Sequence, residues 1–138
     1  MKIRVIIVED CLIQSALLKK ILENEDFEVT GIFRSGAEAV DGCRKKNPAL
    51  VLMDIFLKGN MTGLEAAKKI RETHEIPFIF ITASENTEAQ SQKYYFDRSA
   101  ILPKPVSKKE LLNAISLTLN PSMLVEKTSK SIQCPFGM

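Results

Sequence analysis

Leu50-Val51-Leu52-Met53-Asp54-Ile55-Phe56-Leu57 is the stretch on which the reading of this chain turns. Seven apolar residues enclose one carboxylate, and Asn47-Pro48 and Lys58-Gly59 bound the run. A continuous apolar segment of this length, punctuated on both sides, predicts a strand buried on both faces. An ionised carboxylate left inside such a strand would cost several kcal/mol or more unless paired or bound to a cation. Asp54 is therefore expected at the strand's end, in a pocket.

Working outward, Ile3 to Val8 is a second buried strand, ending abruptly in Glu9-Asp10. The next segment sets Ile13, Leu17, Leu18, Ile21 and Leu22 on one helical stripe, expected to face the core. Phe27 to Phe33 alternates more and suits a sheet edge. Three capping-box sequences follow along the chain: Ser35-Gly36-Ala37-Glu38, Thr62-Gly63-Leu64-Glu65 and Ser107-Lys108-Lys109-Glu110. The first helix so opened runs to about Lys46. The second carries Ala66, Ala67 and Ile70 inward and ends near Thr73, beside the single histidine, His74. The third places Leu112, Ile115 and Leu119 on one stripe and stops at Asn120-Pro121. Between them lie a fourth strand from Phe78 to Thr82, a polar segment (85–96) expected as a weakly anchored fourth helix, and a short strand through Ile101.

Five strands alternating with five helices predict an α/β fold: a doubly wound, five-stranded parallel sheet with right-handed crossovers. In such sheets ligands bind beyond the carboxyl ends of the strands. Glu9, Asp10, Asp54, Thr82 and Lys104 all fall at such ends. Three carboxylates in one crevice invite a hard cation, and Mg2+ needs only two or three protein oxygens because it keeps several waters. A cation, an ammonium and a hydroxyl around one carboxylate form a phosphoryl-binding arrangement, in which Asp54 would be the nucleophile.

The 138 residues, 45% hydrophobic, suffice for one domain. A net charge of +2, with both signs interspersed, gives no reason to expect nucleic acid or membrane binding. Cys11, Cys43 and Cys134 lack metal-ligand spacing and are expected to be free thiols in a reducing cytoplasm. The opening Met-Lys-Ile-Arg-Val is expected to lead straight into a strand, and no signal peptide is expected. Nor does any apolar run reach the ~20 residues of a membrane span. Residues 1–120 are expected to form the domain, and 121–138 a mobile tail or linker.

Val8-Glu9-Asp10, Met53-Asp54, Thr82-Ala83 and Lys104-Pro105, in this order and on these elements, resemble the receiver domain of two-component response regulators, of the CheY-like superfamily. The resemblance covers residues 3 to about 119 and implies a flavodoxin-like sheet of order 2-1-3-4-5. It implies that Asp54 accepts a phosphoryl group from a sensor histidine kinase or a phosphotransfer protein. Asp10 and Asp54 would bind Mg2+ directly, the Phe56 backbone carbonyl would be the third protein ligand, and Glu9 would act through a bound water. Thr82 would hydrogen-bond the phosphoryl group and Lys104 would pair with it. In this family the bond before Pro105 is usually cis. The domain would be a phosphoacceptor assisting its own phosphorylation and dephosphorylation rather than an enzyme. Its switched surface, on the fourth helix, fifth strand and fifth helix, would meet a downstream protein or a second copy.

Ile101 departs from the family pattern, in which an aromatic residue stands three positions before the lysine. An alternative follows from it: a receiver-fold scaffold that binds partners without phosphorylation switching. Two other readings fit less well. A nucleotide-binding enzyme needs a glycine-rich turn where Glu9-Asp10-Cys11-Leu12 stands. An aspartyl phosphatase would place a second acid two residues after the nucleophile, where Phe56 stands.

Overall fold

The computed structural model describes residues 2–83 and 98–120. Five parallel strands form one sheet: β1 (Ile3–Val8), β2 (Phe27–Phe33), β3 (Leu50–Asp54), β4 (Phe78–Thr82) and β5 (Ser99–Pro103), in the order β2-β1-β3-β4-β5. Four helices are seen among the described residues: α1 (Leu12–Glu23), α2 (Gly36–Lys46), α3 (Gly63–Arg71) and a last helix, Lys108–Leu119. The expected fourth helix (85–96) and the tail (121–138) lie outside the described residues.

The unbroken apolar runs have a simple cause: side chains alternate across a strand, and both faces are covered. Ile6 and Val8 of β1, Val51 and Met53 of β3, and Phe78 and Phe80 of β4 pack with Ala39 and Cys43 of α2 and with Leu64, Ala66, Ala67 and Ile70 of α3. The alternate residues Val5, Ile7, Leu50, Leu52, Ile79 and Ile81 pack with Leu18 and Leu22 of α1 and with Leu111, Ala114 and Ile115 of the last helix. β2 is an edge strand, as its alternation predicts, and most of its residues are only half-buried.

Two helices sit differently from the sequence reading. In α1 the buried residues are Ser15, Leu18 and Leu22, whereas Ile13 and Leu17 are exposed. The apolar arc of α1 is wider than its contact with the sheet. Ser15 tolerates burial because its hydroxyl donates to the Leu12 carbonyl at 3.0 Å. In the last helix, Leu111, Ala114, Ile115 and Thr118 face the core while Leu112 and Leu119 are half-buried, so the stripe is rotated by one residue.

The capping boxes of α3 and the last helix are complete. At α2 only half of the box forms. Ser35 accepts the Glu38 N–H at 3.2 Å, but the Glu38 carboxylate reaches back to the Arg34 N–H instead of that of Ser35. α2 ends at Asn47 in the left-handed region, φ 47°, a conformation asparagine tolerates. α3 ends at Arg71, slightly before Thr73, and His74 pairs with the Thr73 hydroxyl in a half-exposed position.

Candidate functional site

The strand register brings the predicted residues to one rim. Val8 pairs with Met53, Asp54 with Ile81, and Thr82 with Pro103, so the carboxyl ends of β1, β3, β4 and β5 lie level. Glu9 and Asp10 follow β1, Asp54 is the last residue of β3, Thr82 the last of β4, and Lys104 comes directly after β5. Thr82 is buried, and its carbonyl accepts the Lys104 backbone N–H at 2.8 Å. The Lys104–Pro105 peptide is cis, as the resemblance implies.

The Lys104 ammonium lies 3.0 Å from Glu9 Oε1 and 3.0 Å from Asp54 Oδ2. Each carboxylate is held by a backbone N–H at its other oxygen: Glu9 Oε2 by Cys11 at 3.1 Å, and Asp54 Oδ1 by Phe56 at 3.0 Å. The Glu9 and Asp54 side chains are only 3% and 6% exposed, so neither could stay charged without such partners. Burial pushes the Glu9 carboxyl above its usual range and the Asp54 charge adds to this, against the opposing pull of Lys104 and the Cys11 N–H. For Lys104, burial works against the charged form. The hydrogen bonds to Glu9 and Asp54, with their charges, outweigh it and lift the ammonium's pKa above the ordinary lysine value. Removing the ammonium would leave two buried carboxylates face to face, which for such pairs costs about 3–5 kcal/mol.

Carboxylate oxygens of Glu9, Asp10 and Asp54 lie within 4.8 Å of one another. Three acids against one ammonium leave an excess of two negative charges in a set of hard oxygen donors. That is the chemistry of a Mg2+ site rather than of a soft-metal site.

Gly63 is a residue whose part the sequence reading missed. A Cβ there would stand 2.2 Å from the Asp54 carbonyl oxygen and 2.9 Å from Ile55 Cα. The first turn of α3 thus rests directly on the peptide of the candidate nucleophile, and the Gly63 N–H donates to the Ile55 carbonyl at 2.8 Å. A glycine as the first residue inside a capping box was the available signal, since close backbone approach is a reason for glycine there.

The family model for the response regulator receiver domain matches residues 5–116. The chain belongs to that family. Among curated relatives, a protein-glutamate methylesterase/protein-glutamine glutaminase of Pyrococcus abyssi is 33% identical over 109 residues, 77% of this chain and 29% of that protein. The transcriptional regulatory protein YdfI of Bacillus subtilis is 27% identical over 124 residues, 89% of this chain and 58% of that protein. The chain therefore spans between about three-tenths and three-fifths of the length of these relatives. Among solved structures, the signal receiver domain of a modulated diguanylate cyclase from Desulfovibrio desulfuricans superposes with a TM-score of 0.79 at 30% identity. That match covers 90% of this chain and 98% of the solved one. The response regulator domain of Thermotoga maritima CheB superposes with a TM-score of 0.78 at 26% identity, covering 87% and 98%.

As a receiver domain, the chain is consistent with phosphorylation-based two-component signalling, and receiver domains bind Mg2+. No helix among the described residues is long and apolar enough to cross a membrane.

Proposed function

We propose that this receiver takes a phosphoryl group onto Asp54 from a phosphohistidine of a sensor kinase or phosphotransfer protein. The observation that carries this is the Asp54 carboxylate at the mouth of β3, with the Lys104 ammonium at 3.0 Å and the Glu9 and Asp10 carboxylates beside it. An Asp54 oxygen attacks phosphorus, a P–O bond forms, the P–N bond breaks, and the imidazole leaves with the electron pair. Lys104 neutralises one phosphoryl oxygen and the Thr82 hydroxyl donates to another. When bound to Asp10, Asp54, the Phe56 carbonyl and, through water, Glu9, Mg2+ supplies charge neutralisation at the transferred group. Ala83, small and exposed, leaves the approach open.

The exposed face of α1 supports a protein donor. Ile13 is 77% exposed, Leu12 64%, Leu17 52% and Phe56, beside the nucleophile, 50%. An apolar helix face next to the site suits a partner that must bring its own reactive residue to Asp54. On the output side, a groove of about 590 Å³ lies between β5 and the last helix, lined by Ile101, Leu102, Asn113 and Leu117 among others. It supports a switched protein-binding or self-association surface there. The exposed thiol of Cys11 fits a reducing cytoplasm.

The scaffold reading is favoured by one observation: Ile101 is aliphatic and packs against the core cluster of α2 and α3. Intact mass after incubation with a small-molecule phosphodonor decides between them. The native chain should gain one phosphoryl group only with Mg2+, and Asp54→Asn should gain none. No gain with any donor would leave the scaffold.

A further inference from the structure

We infer that Met123-Leu124-Val125, in the segment that follows the last helix, docks in an apolar groove at the end of the sheet opposite the phosphoryl site. The groove, about 350 Å³, lies between the last helix, the start of β1 and the turn from α1 into β2. Its apolar wall is Ile3, Phe27, Leu112, Ile115 and Leu119. Ile3 and Phe27 open β1 and β2 and pair in register, whereas Glu9, Asp54 and Lys104 stand at the carboxyl ends of the strands. Within this wall Ile115 is buried, but Ile3, Phe27, Leu112 and Leu119 are only half-buried. Leu111, Ala114, Ile115 and Thr118 already fill the contact of the last helix with the core, so Leu112 and Leu119 are left for another neighbour. Glu25, the charged residue in the wall, is paired with Lys108 at 3.3 Å, so the groove offers apolar surface rather than an unpaired charge.

The described residues stop at the groove's own rim. Asn120 belongs to the wall; its ψ of 73° leaves the helical region, and Pro121 bars any continuation of the helix. From Leu112 to Asn120 the helix rises about 12 Å. Residues 121–125, if extended, reach about 16 Å, enough to cover that length. Met123-Leu124-Val125 is the apolar run within this reach. It is bounded by Ser122 on one side and by the polar stretch 126–131 on the other, while Ile132 and Phe136 stand singly beyond. A tether as short as Pro121-Ser122 gives the run an effective concentration of about a millimolar or more. At lower protein concentrations a second copy of the chain competes poorly for the same wall.

Nuclear Overhauser contacts in the full chain, with methyl groups and phenylalanine rings isotopically labelled, test this at a concentration where the chain sediments as a monomer. Contacts are expected from the methyl groups of Met123, Leu124 or Val125 to those of Ile3, Leu112 or Leu119, or to the Phe27 ring. Met123→Ser, Leu124→Ser and Val125→Ser made together should abolish them and lower Tm by about 3 °C or more. Ile132→Ser with Phe136→Ser should keep them and shift Tm by less than about 1 °C. Neither set alters a described residue, so both variants retain the sheet and its helices. The absence of any contact between residues 123–125 and the groove in the monomeric chain would overturn the inference. So would contacts found only between labelled and unlabelled chains in a mixture, which would assign the groove to a second copy. Equal losses of Tm in the two variants would overturn it as well. Phosphorylation plays no part in the measurement, so its outcome and that of the receiver reading stand apart.

Discussion

Replacing Gly63 by alanine should damage both the fold and the chemistry, and the structure says by how much. The backbone at Gly63 lies outside the left-handed region, so conformation does not forbid alanine; space does. The added Cβ would stand 2.2 Å from the Asp54 carbonyl oxygen, so α3 must withdraw by more than about 1 Å to reach ordinary contact. Overpacking of this kind costs about 1–3 kcal/mol. The 2.8 Å bond from the Gly63 N–H to the Ile55 carbonyl would stretch, costing about 1 kcal/mol more. Alanine's better helix propensity returns about 1 kcal/mol at most. The net loss is about 2 kcal/mol, a fall of roughly 8 °C in Tm for a domain of this size. Because the atom struck belongs to Asp54, the carboxylate moves too, and a misplacement near 1 Å can lower the phosphorylation rate on the order of 10²-fold. Gly36→Ala is the control: the nearest atoms to its Cβ would be side-chain atoms of Met61 and Ala66, at 3.1 and 3.2 Å, rather than backbone, and it should cost under about 1 kcal/mol. Differential scanning calorimetry and phosphorylation rates from a small-molecule donor give both readouts. If Gly63→Ala melted within 2 °C (roughly 0.5 kcal/mol,) of the native chain and phosphorylated at its rate, the argument from close approach would be wrong.

Two further expectations follow. Ile13→Glu and Leu17→Glu, on the exposed face of α1, should leave stability within about 0.5 kcal/mol. They should reduce transfer from a phosphohistidine protein at least tenfold more than transfer from a small-molecule donor; equal losses would remove α1 from donor docking. Burial pushes the Cys43 thiol up to about 11, whereas an unfolded thiol ionises near ~8.5. Between those values the unfolded chain has lost a proton that the folded chain keeps, so stability falls as pH rises, by at most about 1.4 kcal/mol per pH unit. Urea melts at stepped pH should show this slope, and Cys43→Ala should flatten it. Lys104 has the opposite charge but the same sign of effect: its contribution is present below the ordinary lysine value and is lost above it.

What the sequence reveals and conceals follows from which interactions are local. β1, β3 and β4 are legible because both of their faces meet helices, leaving apolar runs, from Val5 in β1 and throughout β3 and β4, that continue to the site residue that follows β1 or ends β3 and β4. Asp54 and Thr82 are conspicuous for that reason. α1 misleads because apolar residues occupy more of its circumference than the sheet covers. Nothing local tells that Ser15 goes inward and Leu17 outward. The role of Gly63 depends on what lies opposite it, the peptide after Asp54, which its own neighbours do not encode. The contact between Glu9 and Lys104 joins residues 95 apart and emerges only once the registers of β1, β3, β4 and β5 are combined.

The same network bears on how a change at Asp54 would be transmitted. A phosphoryl group adds about 1.5 to 2 negative charges where Lys104 already bridges β1, β3 and β5. In this chain the neighbour of Phe80 across β4 and β5 is Ile101, whose β-branched side chain is stiff and packs against the core cluster. It offers no aromatic ring at the position where the family pattern has one. The link that remains is in the backbone. The Lys104 N–H is bonded to the Thr82 carbonyl at 2.8 Å, and the Lys104 ammonium to Asp54 at 3.0 Å, so movement of Thr82 and a new charge on Asp54 act on one residue. That residue follows β5, a sheet edge only half-buried along most of its length. An edge strand held mainly on one side yields more readily than a core strand, so a displacement of β5 is the expected response to phosphorylation of Asp54. The groove between β5 and the last helix, with Ile101 in its wall, is where that displacement would reach a partner.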